Sequence, residues 1–118
     1  MTRIAYIFAV AALTASPALA EGFQPVENRD SFVSLIDGRS LTRFGIRLEV
    51  SPRGDITGRA FGREVSGDWR WDGRYFCRDL TFGAESLGPN CQAVEVRGST
   101  LRFIADKGAG QRADLRLD

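Results

Sequence analysis

The chain has no histidine, only two cysteines, one methionine and, among sixteen basic residues, a single lysine, Lys107. The missing histidine removes the commonest general base, the commonest metal ligand and any Ser-His-Asp triad together. Net charge is equally scarce. Arg3 falls within the first twenty residues, and the remainder carries 15 basic and 15 acidic side chains. Such a balance does not fit nucleic acid or another polyanion, which call for a basic face. There is no G-x-G-x-x-G after a strand and there are no helices between strands, which excludes a parallel dinucleotide-binding sheet. Long apolar runs are also lacking. The run from Ile4 to Leu13 is closed by Thr14 and Ser16 after about ten residues, short of the roughly 18 a spanning helix needs.

That run follows Thr2 and Arg3 and ends in Pro17, Ala18, Leu19 and Ala20, the pattern of a signal peptide with a small-x-small cleavage site. The organisation expected is a signal peptide over 1–20 and a single small β domain over 21–118, periplasmic or secreted, without a membrane span after cleavage. A domain of this size has a modest core and gains from a covalent staple. In an oxidising compartment Cys77 and Cys91 read as a disulfide, worth roughly 3 kcal/mol on the chain-entropy account.

One helix is predicted, from Asn28 to Ile36: Asn28 or Asp30 caps it, Phe32, Leu35 and Ile36 share a face, and Gly38 follows at its C-terminus. From Leu41 onward the pattern alternates. Strands are expected at Ile46–Val50, Asp55–Phe61, Val65–Trp71, Arg74–Phe82, Gln92–Val96, Thr100–Ala105 and Arg112–Leu117. Asp72 and Gly73 supply a two-residue hairpin turn, and Gly83–Asn90 reads as a loop spanned by the disulfide. The fold class is therefore mainly β: one short N-terminal helix, then a small antiparallel meander of about seven strands forming a barrel or sandwich, with one disulfide.

The densest chemistry lies between Trp69 and Arg78. Trp69, Arg70, Trp71, Arg74, Tyr75 and Arg78 form a candidate binding surface, with aromatic faces for a flat group and guanidinium forks for an anion. The competing reading puts Trp69 and Trp71 in the core, on the face of Val65 and Gly67, and is the favoured one. Gly58, Ala60 and Gly67 mark either a cavity or the room those indoles fill, again with the second favoured. The carboxylates Asp68, Asp72 and Asp79 raise glycoside chemistry, but Asp72 belongs to its turn and Asp68 to the outward face. Asp106 lacks the repeated acids of a calcium loop. The expectation is no catalytic residue, no cofactor and no metal.

The run Arg39 to Gly45, then Gly58-Arg59-Ala60-Phe61-Gly62, Tyr75-Phe76-Cys77-Arg78 and Gly88-Pro89-Asn90-Cys91-Gln92 resembles a group of short exported alphaproteobacterial proteins. The resemblance covers nearly all of the chain after residue 20. Members of that group often carry the name dihydrodipicolinate reductase, which implies a nicotinamide cofactor on a Rossmann domain and a histidine and lysine at the substrate. The sequence has no position that matches that enzyme's motif. The function expected from the residues is a non-catalytic binding or interaction module for a small ligand or an envelope protein. The alternatives are an inhibitor that inserts the Gly83–Asn90 loop into an envelope hydrolase, and an enzyme, either that reductase or a hydrolase built on Asp68, Asp79 and Arg78.

Overall fold

A computed structural model of the chain describes residues 22–118, so the signal peptide expected over 1–20 lies outside the described residues. The helix, α1, spans Arg29–Ile36. Asn28 is its N-cap: the backbone there is extended and its side-chain oxygen accepts from the Ser31 amide at 2.8 Å, satisfying one of the orphan donors of the first turn. Eight residues do not hold a helix in water unaided. Its stability comes from Phe32 and Ile36, which are buried.

Nine strands follow or flank it: β1 Gln24–Val26, β2 Ser40–Arg43, β3 Ile46–Val50, β4 Asp55–Ala60, β5 Arg63–Asp72, β6 Tyr75–Phe82, β7 Glu85–Arg97, β8 Thr100–Ile104 and β9 Arg112–Leu117. From β2 to β9 each strand pairs antiparallel with the next, and β2 returns to pair with β9 through Leu41 opposite Leu117. The meander is a closed eight-stranded barrel, which leaves no free edge between its first and last strands. β1 is added outside this cycle, alongside Val94–Val96 where β7 runs on past the end of β6.

The expected β meander, its disulfide and its helix are all present, with three differences. The expected seven strands omit β1 and β2, which are only three and four residues long and too short to show a period. The segment expected as the loop Gly83–Asn90 is mostly strand: β6 and β7 turn tightly at Gly83–Ala84, and a bulge at Leu80/Thr81 absorbs the extra residue, Leu87. Its Gly and Pro residues serve the bulge and the strand, not a loop. The β5–β6 turn is Gly73–Arg74 and not Asp72–Gly73, since Asp72 pairs with Tyr75. Gly73 alone has positive φ there, the pattern of a turn with glycine first.

The register sets the inward face. On β5, Val65, Gly67, Trp69 and Trp71 point in, as their alternation predicts, and on β6 their cross-strand partners Phe82, Leu80, Arg78 and Phe76 point in with them. At one end of the barrel α1 acts as a plug. The Phe32 ring lies 5.2 Å from Trp69, 5.2 Å from Trp71, 5.0 Å from Phe76 and 6.3 Å from Phe103, fully buried among them. Such ring pairs add about 0.5–1.5 kcal/mol each beyond their burial. The Trp69 indole also donates to the Ser51 carbonyl at 2.8 Å, and Arg29 donates to Pro52 at 2.7 Å, tying plug and wall together at the β3–β4 turn.

Two glycines let the wall curl. A Cβ on Gly67 would overlap the Asp79 carbonyl on the neighbouring strand, and one on Gly58 would overlap that of Arg47. They serve close backbone approach, which bends strands into a narrow barrel.

Candidate functional site

Away from α1 the barrel is hollow. The inward positions there carry Leu48, Leu80 and Ala113, all only partly buried, where the plugged end carries rings. The space they leave is a cavity of about 310 Å³, lined by fourteen residues of which ten are apolar, among them Leu48, Val50, Ile56, Leu80 and Phe103. That is the low end of the roughly 300–1,000 Å³ range of small-molecule sites, and close to the volume of about ten water molecules.

Four polar residues line it: Arg78 on β6, Gln92 on β7, and Gln111 and Arg112 at the start of β9. Arg78 sits opposite Trp69 in the β5–β6 register, which turns its side chain inward. Its Nη1 donates to the Gly88 carbonyl at 2.7 Å, across the β6–β7 bulge. Burial pushes the guanidinium pKa below its ordinary value, and the nearby Asp79 carboxylate offsets part of that shift. Among the described residues every ion pair involves some other arginine. A half-buried cation with no carboxylate within bonding distance is an unusual expense in a protein wall, because desolvation is not repaid by a close partner.

The six residues of the expected binding surface are not brought together. Trp69 is buried at 5 % exposure, and Trp71 is partly buried against the same core. The favoured core reading of the two indoles is what the packing shows. Arg70 faces solvent, Arg74 sits on the exposed turn 3.6 Å from Glu27, and Tyr75 lies on the outer wall under Lys107 at 5.4 Å. Arg78 alone reaches the cavity.

The carboxylates fare similarly. Asp68 and Asp79 are cross-strand partners on the outer wall, with Asp55 beside Asp68, whereas Arg78 is inside. The set Asp68, Asp79 and Arg78 is therefore divided by the thickness of the sheet and does not form one site. Asp106 hydrogen-bonds through Oδ1 to the Asn90 amide at 2.8 Å and fastens the β8–β9 connection to β7.

The disulfide lies on the outer face. Cys77 and Cys91 are direct cross-strand partners, so the bond staples two neighbouring strands of the wall behind Arg78. Two residues at the cavity carry no sequence signal for it: Gln92, whose inward position opposite Phe76 depends on the β6–β7 register, and Arg112, which is exposed and borders the cavity beside the inward Ala113.

Fold and site together define a closed antiparallel meander barrel with one plugged and one hollow end, of the size that holds side chains or a single small ligand. No protein-family model, curated protein or solved structure matches the chain.

Proposed function

We propose that the chain is a non-catalytic binding protein of the periplasm or extracellular space that holds a small amphiphilic anion in the hollow half of its barrel. The single observation that carries this reading is Arg78: a half-buried guanidinium without a carboxylate partner, set into a mostly apolar cavity of about 310 Å³. An anionic head at Arg78 supplies the missing charge in a fork geometry that a guanidinium offers and an ammonium does not. The apolar body then lies against Leu48, Val50, Ile56 and Leu80. Gln92 and Gln111 remain to hydrogen-bond a second head-group oxygen.

Size narrows the class. An alkyl carboxylate on the order of ten non-hydrogen atoms fits the volume. About seven buried carbons at ~0.8 kcal/mol each give ~5–6 kcal/mol, a Kd on the order of 0.1 mM.

The test is calorimetric titration with octanoate and octanol, on the wild type and on Arg78→Leu. Octanoate is expected to bind the wild type at least tenfold tighter than octanol does, and Arg78→Leu is expected to erase that preference. Equal affinity for acid and alcohol in the wild type would sink the reading. NADPH at millimolar concentration belongs in the same series, because saturable binding there would favour the reductase instead.

A further inference from the structure

We infer that the hollow end of the barrel is a docking face for a bilayer containing anionic lipid. Phe44 and Phe61 stand at the tips of two adjacent two-residue turns, β2–β3 and β4–β5, and are 93 % and 65 % exposed. The turns are joined: the Phe61 amide donates to the Gly45 carbonyl at 2.7 Å, and the Phe61 ring lies over Gly45, where a Cβ would collide with it. The two rings thus project from one tied corner of the rim.

Phe61 occupies this tip against two costs. Its φ is +52°, a left-handed conformation that glycine and asparagine adopt readily and a bulky side chain rarely does. Its ring is also in water. A residue that breaks the turn preference and the burial preference at once, next to a second exposed phenylalanine, points to something that covers both rings.

The surrounding charge identifies what covers them. Arg43, Arg47, Arg59 and Arg63 flank the two turns, and Arg47 and Arg59 are placed directly opposite each other, a like-charge pairing that a sheet ordinarily avoids. Glu49, 3.4 Å from Arg47, and Glu64, opposite Arg59, are the acids beside them. Four guanidiniums against two carboxylates, with two phenyl rings between them, match an interface of negative head groups over an apolar layer. A second copy of the chain is the poorer occupant, because two such rims face to face would set arginine against arginine. The outer walls do not enter the bilayer, since they carry Arg47, Glu49, Asp68 and Arg70 in place of the apolar band of a spanning barrel. Docking is by the rim.

The experiment is flotation of the purified protein with vesicles of phosphatidylcholine alone and of phosphatidylcholine with phosphatidylglycerol in equal parts, at low salt and at 0.5 M salt. The result expected is capture by the phosphatidylglycerol vesicles at low salt only. The double variant Phe44→Ser/Phe61→Asn should lower that capture about tenfold. Asparagine suits the φ of residue 61, so this variant should melt no lower than the wild type, and Phe44→Ser alone gives a second reading of the same effect. No capture by phosphatidylglycerol vesicles, or capture undiminished in both variants, would overturn the inference. So would a wild-type dimer in solution that the double variant dissociates.

Discussion

The two ends of this barrel are made by the same strands and do opposite things. At the plugged end the inward positions of β5, β6 and β8 hold Trp69, Trp71, Phe76 and Phe103 around Phe32. At the hollow end, a few residues further along β3, β6 and β9, they hold Leu48, Leu80 and Ala113, and a space remains. A barrel of about 100 residues has little core to spare. Concentrating the aromatic surface in one half stabilises the molecule there and leaves the other half free to carry an arginine and a void. Aromatic packing and open space are separated along the barrel axis.

That separation sets the size of each substitution's effect. Phe32→Ala removes the ring on which four others converge and should cost about 3–5 kcal/mol, read as a fall in the denaturant midpoint. Cys77→Ser opens the staple at the waist of the barrel and should cost roughly 3 kcal/mol without changing which ligand binds. Leu80→Trp, by contrast, fills the hollow half. It should alter stability by about 1 kcal/mol or less and abolish octanoate binding, whereas overpacking a filled core costs more. A large loss of stability from Leu80→Trp would mean that the hollow end is as tightly packed as the plugged one.

The smallest effect is on the outer wall. Arg102 holds Asp114 through two hydrogen bonds, of 2.8 and 3.0 Å, and these, followed by the charge of Arg102 and of Arg112 and Arg43, keep the Asp114 carboxyl below its ordinary range. A carboxyl depressed in the folded state contributes its full share above the unfolded value near 3.8 and loses it as pH falls through the lower folded value. Asp114→Asn should therefore destabilise slightly at pH 7 and flatten the decline in midpoint below about pH 4. An unchanged acid slope would show that the pair contributes nothing.

Much of the plugged end was legible in the sequence. The sequence narrows the helix start to Asn28 or Asp30, of which Asn28 is the cap, and the alternation Val65, Gly67, Trp69, Trp71 gives the inward face of β5 directly. The short strands β1 and β2 were not legible, because three or four residues carry no period and are fixed only by the partners they meet. The site was half legible. A two-residue turn placed at either Asp72–Gly73 or Gly73–Arg74 keeps odd positions of β5 beside even positions of β6, so an inward Trp69 already commits Arg78 to the interior. Grouping Arg78 with Arg70 and Arg74 as one surface missed that parity. The cavity itself depends on how sharply the wall curls at Gly58 and Gly67 and on which half α1 fills, and both are tertiary facts. The rim was hidden for a different reason: Phe61 in a turn reads as the end of a strand until its φ is known.

The most direct test of the central claim, that the hollow half is a site for an amphiphilic anion, is the dependence of affinity on tail length for the straight-chain carboxylates from hexanoate to dodecanoate. The account predicts a rise of about fourfold per added methylene, at ~0.8 kcal/mol each, which stops once the tail fills the cavity. The same break at lower affinity throughout is expected for Arg78→Leu. A flat series, or one that climbs without a break and is indifferent to Arg78, would contradict it.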